Sequence, residues 1–400
     1  MEQAAVEHKM IPIDEALLRI KKVVKPLPTE TIDLADAIGR VLAEDVVSDV
    51  NVPPFNKAAM DGFACKKADF HNWMTVVEEI PAGHFPKEKI EEAQCARIMT
   101  GAAVPEGADT VIMIEHVEFD EQVRVRFVKE KSNTNICLLG EDIQTGDVVL
   151  AKGTWIEPAH IAVLAGAGKA TLEVYKKPKV VVMPTGSELV EPSETPHLGA
   201  IRNSNGHQMV AQLKQMGFDV FYSGIIKDDK NELEKEISHW SSLVDLMIFS
   251  GGVSVGDYDY VPVVLQEAGF DIHISKMATK PGKHTLFASK EEVYALGVPG
   301  NPVSSYVQLE LVGLYLLAHL MGTSFEPLRI KTTLSNNYKR KRSDRFEFLP
   351  VKIGANGEAQ LMEYHGSAHI HALSSAHALL EIPIGINEIE KGEEVYVRPL

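Results

Sequence analysis

Cysteine is scarce in this chain. Only Cys65, Cys95 and Cys137 occur in 400 residues, and no two form a CxxC pair. Neither a disulfide framework nor a structural zinc site is expected, and the compartment should be reducing. Basic charge is also short: 40 Lys and Arg face 56 Asp and Glu, a formal net charge of −16. Non-specific nucleic-acid binding needs a basic face and is not expected. An anionic substrate would have to be met by local basic groups. Long apolar runs are missing. The most apolar late stretch, residues 311–321, falls short of the ~18 residues of a membrane span and follows Gln308 and Glu310. The first twenty residues carry acid early and no apolar signal core, so a cytoplasmic protein is expected. There is no HExxH, no Walker lysine and no GxGxxG, and no repeat or low-complexity tract.

What is present centres on residues 243–259, LVDLMIFSGGVSVGDYD. The apolar run predicts a buried strand of a parallel sheet. Ser250, Gly251 and Gly252 break it, Ser254 continues the loop, and residues 261–268 are compatible with a helix. A glycine-rich loop between strand and helix presents unpaired N–H groups to an anion. Two carboxylates, Asp257 and Asp259, stand at its mouth and would repel a phosphate unless a divalent cation lay between them. Phosphate plus Mg²⁺ is therefore one reading. An ordinary turn with helix-capping acids is the other.

At about 150 residues per domain the chain should hold roughly two to four domains, and 45% hydrophobic residues suffice for several cores. Apolar spacing predicts a helix over 13–24, stopped by Pro26 and Pro28. Residues 32–47 are expected to form a second short helix leading into a strand, and the Pro53-Pro54 breaker marks a boundary. Residues 56–139 read as short strands and turns, with little helix to cover their sheet. After Gly140 the chain is expected to return to helix, including 158–167. From Lys179 strands and helices alternate, predicting a largely parallel βαβ sheet. Beyond Glu326 short strands return. The expected fold class is thus multidomain α/β plus β. Its units are a discontinuous helical and linker domain (1–50 and 140–178), an inserted β-rich domain (51–139), an α/β domain (179–325) and a C-terminal β-barrel-like domain (326–400).

Function in open α/β sheets gathers at the C-terminal strand ends. Glu188, Asp228 and Asp259 all follow such ends and suit Mg²⁺; capping is the plain alternative for each. Lys280 and Lys283 flank a Pro/Gly turn, as phosphate or oxyanion ligands or as solvated charges. Pro302 opens a helix and Ser304 offers a hydroxyl. Asp61 sits in an Asp-Gly turn, a site for an acid entering a cleft or a turn former alone. Thr100 is likewise a hydroxyl donor or part of a turn. His365, His369, His371 and His377 cluster locally, and a structural role is favoured over a metal.

The ordered motifs AAMDGFA (58–64), RIMTGAAVPEGAD (97–109), GEDI (140–143), PTGSELV (184–190), GIIKDD (224–229), SGGVSVGDYDY (250–260), KPGK (280–283) and PGNPVSS (299–305) resemble the molybdopterin molybdenumtransferase family. The MoeA proteins and the E domain of gephyrin belong to it. The resemblance runs over nearly the whole chain. It implies an elongated four-domain subunit, a homodimer, and insertion of molybdenum into adenylylated molybdopterin with release of AMP, assisted by Mg²⁺. Molybdate is then a substrate, and the molybdopterin adenylyltransferase is a candidate partner. It also implies site roles. Asp61, Glu188, Asp228 and Asp259 are the catalytic acids, the last three also holding the metal. Thr100, Gly251, Gly252, Ser254, Lys280, Lys283, Pro302 and Ser304 contact the cofactor. Asp61 and Thr100 would face the partner's βαβ domain. Two departures stand out. Residues 56–59 are Asn-Lys-Ala-Ala where the family often has Asp-Asn-Ser-Ala, and Cys137-Leu138-Leu139 replace arginines. They leave room for a paralogue inserting tungsten. A non-catalytic scaffold of the gephyrin kind and a related adenylylating enzyme are the other readings. The intact acids and lysines favour the metal-inserting enzyme, and the additional β domains disfavour the adenylylating one.

Overall fold

A computed structural model describes residues 10–254, 259–364 and 366–400. The first helix, Ile13–Val23, buries Ala16 and Ile20. These join Leu314 and Leu317, near the end of the long late helix, in one apolar cluster. The amide of Leu27 donates to the Leu320 carbonyl at 2.8 Å.

No α-helix forms over 32–47, contrary to expectation, although the stretch does end in a strand, Val46–Val47. Thr29–Asp33 is a strand, followed by one 3₁₀ turn, Leu34–Asp36. The strand pairs antiparallel with Thr171–Tyr175, and Val46–Val47 pairs with Val148–Leu150. Partners more than a hundred residues away override the local helical spacing. Residues 140–157 likewise hold a strand and turns, and the helix begins only at Pro158, running to Gly166.

Within residues 56–139 four strands form a sheet in the order Thr75–Ile80, Gln94–Ile98, Gly62–Cys65, Thr110–Met113. Alternation splits its side chains. Ala64, Ala96, Ile98 and Val111 face one core; Phe63, Cys65, Cys95 and Ile112 face another with Phe70, Met74 and Phe127. Both faces are therefore filled from within the segment, and no helix is needed to cover them.

The central sheet runs Val220–Tyr222, Val180–Pro184, Leu246–Ser250, Val293–Val298, Leu286–Lys290, Asp271–Ile274. The first four are parallel; the last two are antiparallel, joined by a hairpin and an edge pairing. The expected parallel sheet thus carries an antiparallel flank. Val180, Val182, Leu246 and Ile248 pack towards Met209, Leu213 and Val303. Their neighbours Val181, Met183, Met247 and Phe249 pack towards Leu233, Ile237 and Leu265. Helices on both faces leave the C-terminal strand ends open.

The late helix runs Pro302–Leu320 and is apolar enough for a membrane, yet 78% of it is buried. It is the core helix of this sheet, with a π turn at Leu309–Gly313. The C-terminal sheet is mostly antiparallel: Phe346–Ile353, Ala378–Ile382, Glu394–Pro399, Ile330–Thr333. One further strand, Thr279–Lys280, comes from the central unit and pairs parallel with Phe346–Ile353. This strand sets the Lys280–Lys283 turn against the C-terminal sheet.

Candidate functional site

Where the parallel strands end, their loops interlock. The amide of Thr185 donates to the Ser250 carbonyl at 2.9 Å, Gly186 to Ile226 at 3.0 Å and Gly251 to Val298 at 3.1 Å. Gly251 and Gly252 adopt φ of +94° and +63°. A Cβ on Gly251 would lie 2.6 Å from the Thr185 carbonyl, and one on Gly252 2.7 Å from Thr185 Oγ1. Glycine at both positions lets the loop close against the neighbouring strand end.

The result is a cleft of about 740 Å³ that brings together Glu188, Asp228, Asp259, Gly251, Gly252, Ser254 and Pro302. Asp257 lies outside the described residues. Asp228 and Ser187 grip each other: the Ser187 amide donates to Asp228 Oδ2 at 2.9 Å, and the Asp228 amide donates to Ser187 Oγ at 3.1 Å. Thr185 Oγ1 is buried in the cleft wall with no partner among the described residues. Among those residues no three His, Cys, Asp or Glu side chains stand close enough to hold a metal by themselves. Mg²⁺ seldom uses such a cage; it takes one or two carboxylates and completes its shell with water and substrate phosphate. Separated carboxylates around a phosphate loop fit that pattern.

Asn203 and Asn205, which no motif marks, stand on the same wall. Asn205 Nδ2 donates to Ser250 Oγ at 3.0 Å and to the Gly300 carbonyl at 2.7 Å, tying two loops. Asn203 Nδ2 donates to Tyr222 Oη, which donates to Glu191 Oε1 at 2.6 Å. Neither residue belongs to a familiar catalytic pattern, so spacing carried no signal for them. Gly252, Ser254 and Gly256 do match the G-x-S-x-G spacing of a nucleophile elbow. An elbow places its serine on a sharp strand-to-helix turn. Here the strand ends at Ser250, so Ser254 does not follow it directly, and Gly256 lies outside the described residues.

A second cleft, about 790 Å³, opens between the central unit and the C-terminal sheet. It contains Lys280, Lys283 and Ser304, with Arg345, Tyr338, Glu347 and Tyr364. The two clefts share His284, Pro299 and Asn301. The lysines differ. Lys280 Nζ lies 2.6 Å from Glu347 Oε1, whose other oxygen takes hydrogen bonds from Tyr338 Oη at 2.8 Å and Arg340 Nη1 at 3.1 Å. Glu347 is 1% exposed, so Lys280 balances a buried carboxylate while its half-exposed side chain still lines the cleft. Among the described residues Lys283 has no such carboxylate partner, and Arg345, which no motif marked, lines the cleft with it.

Asp61 and Thr100 lie in neither cleft. The Thr100 hydroxyl and amide both donate to Asp61 Oδ1 at 2.7 Å. These two bonds hold the carboxyl below its ordinary range. The pair sits on the exposed rim of the inserted sheet. Of the histidine cluster, His365 lies outside the described residues, and His377 Nδ1 accepts from the Ile353 amide at 3.1 Å. Leu138 and Leu139 are 56% and 52% exposed where arginines were expected.

Three family models match the chain: MoeA N-terminal region (domain I and II) over 11–168, probable molybdopterin binding domain over 181–319, and MoeA C-terminal region (domain IV) over 333–400. A molybdopterin molybdenumtransferase of Haemophilus influenzae is 34% identical over 98% of this chain and 98% of its own. Its counterpart in Bacillus subtilis is 33% identical over 97% and 93%. The crystal structure of a molybdopterin biosynthesis MoeA protein from Pyrococcus horikoshii OT3 superposes with a TM-score of 0.83 at 29% identity, covering 98% of this chain and 100% of that one.

Proposed function

Because the chain belongs to the MoeA family and is a molybdopterin molybdenumtransferase, we propose that its two meeting clefts divide the substrates between them. Adenylylated molybdopterin lies with its pyrophosphate on the Gly251-Gly252 loop, and molybdate enters the second cleft. The observation that carries this is their contrast in charge. Glu188, Asp228 and Asp259 outnumber Arg202 in the first cleft, while Lys283 and Arg345, beside the Lys280–Glu347 pair, make the second basic.

The residues then have separable tasks. Backbone N–H groups of the loop and the Ser254 hydroxyl hold phosphate oxygens. Glu188, Asp228 and Asp259 are the acids that would hold Mg²⁺, whose charge makes AMP a tolerable leaving group. Asn205 keeps the Ser250 and Gly300 loops at fixed separation, so the pyrophosphate meets a pre-set surface. Lys283 and Arg345 hold the oxyanion until the dithiolene takes the metal. Ser304 at the start of the late helix and Pro302 beside it complete the wall between the clefts. Cytoplasmic location accords with three free cysteines; burial pushes the Cys95 thiol up to about 12.

The measurement is AMP release with molybdate present. Chelation of Mg²⁺ should slow it by at least tenfold, as expected when a cation stabilising phosphoryl charge is removed. A full rate in chelator would remove the cation from the mechanism.

The same proposal includes a two-fold dimer with composite sites. Its support is the position of Asp61 and Thr100: they pair tightly with each other but reach neither cleft of their own subunit. In a two-fold pair the strip on one subunit can face the cleft of the other. Domain limits at 50, 139, 178 and 325 form part of this reading. Mixing Asp61→Ala with Asp259→Ala subunits should restore part of the activity after exchange, because some heterodimer sites carry both intact residues. No recovery in exchanged mixtures would reject the composite site, and a monomer by light scattering would reject the dimer.

A further inference from the structure

His284 stands where the two clefts meet and lines both. It follows Lys283 on the turn that the strand Thr279–Lys280 holds against the C-terminal sheet. Its ring nitrogens are not equivalent. Nδ1 is shielded from solvent and has no hydrogen-bond partner among the described residues. Nε2 is not buried without a partner as Nδ1 is, and since the ring lines both clefts we infer that Nε2 faces them. Burial lowers the pKa of the ring; the Lys283, Lys276 and Arg345 charges lower it further, and Asp259 opposes them. The imidazole is therefore neutral near pH 7 and carries a single N–H. A shielded donor without an acceptor is costlier than a bare lone pair. This assigns the proton to Nε2.

We propose that His284 donates this Nε2–H to the tetrahedral oxyanion substrate at the junction of the clefts. The inference rests on the placement of molybdate in the second cleft given above, and extends it. Lys283 is a mobile point charge and attracts an anion without fixing its position. A ring held by its own burial supplies direction. It stops the oxyanion at the boundary, next to the cleft that holds the pyrophosphate.

The test is calorimetric titration of molybdate into the full chain near neutral pH. His284→Ala, His284→Asn, His284→Gln and Arg345→Ala are compared with the wild type, each checked by thermal melting. Glutamine places its amide near the Nε2 position and asparagine near Nδ1. The Ala and Asn variants should bind molybdate about tenfold or more weakly, the loss expected for one hydrogen bond to a charged group, and Gln should stay within about threefold. Arg345→Ala should also bind more weakly. If Arg345→Ala is weakened but all three His284 variants match the wild type, the inference is overturned and the cleft assignment stands. If Arg345→Ala also matches the wild type, or the wild type shows no binding, the cleft assignment fails and the inference fails with it. Rescue by Asn and not by Gln would overturn the assignment to Nε2.

Discussion

Asp259→Ala should lower molybdate-dependent AMP release by about 10²–10³-fold, the loss seen when one pre-placed electrostatic group is removed from a reacting centre. The residue follows the glycine loop and shares its cleft with Glu188 and Asp228. It is only partly buried, and the helix behind it starts at Val261, whose amide donates to the Gly252 carbonyl at 3.2 Å. That backbone bond across the loop does not involve the carboxylate, and the melting curve is the control that separates a lost fold from lost chemistry. Lys283→Ala should show a smaller loss, because Arg345 remains. Activity of Asp259→Ala within a few-fold of wild type would leave this acid a role in helix entry alone.

Glu347→Ala should cost about 3–5 kcal/mol, the usual loss when one partner of a buried ion pair is removed. Its carboxylate serves Tyr338, Arg340 and Lys280 together. Arg340 is nearly as buried, and would keep its charge with hydrogen bonds only to the carbonyls of Ile386, Arg345 and Pro383. Burial, the largest cause, pushes the Tyr338 phenol up and persists in the variant, so Tyr338 supplies no replacement anion. The C-terminal unit should unfold at clearly lower denaturant, while Glu347→Gln, which keeps an acceptor, should lose less. A change below about 0.5 kcal/mol for the alanine variant would show that the three groups find other partners.

The contrast between these two residues shows what the sequence could reveal. Asp259 was legible because the strand before it is an unbroken apolar run and a glycine pair ends it; both signals are local. Glu188 and Asp228 were legible because parallel strands deliver their following residues to one edge. The fate of Lys280 was not legible. Its carboxylate lies in a sheet that begins some fifty residues later, and only the parallel pairing of Thr279–Lys280 with Phe346–Ile353 brings them together. Arg345 and His284 were missed for the same reason, since a cleft between two units has no spacing in either. The helix expected over 32–47 failed where local periodicity met a distant strand, Thr171–Tyr175, that pairs better. Family resemblance supplied what periodicity lacked, and its arginines before Gly140 are Cys137, Leu138 and Leu139 here.

The packing of the first helix has a consequence for synthesis on the ribosome. Ile20 is covered by residues near Leu317, and Leu27 is tied to Leu320, so the helix emerges about 300 residues before its partner exists. At about 5–20 residues per second this is a wait of roughly 15–60 seconds. Through that interval its apolar face has no native surface to occupy, whereas the inserted sheet, with every strand between Gly62 and Met113 close in sequence apart from the hairpin covering it, can close early. The nascent chain therefore matures from its middle outwards. The first helix is the element that waits longest for its partner, and the natural target for a chaperone.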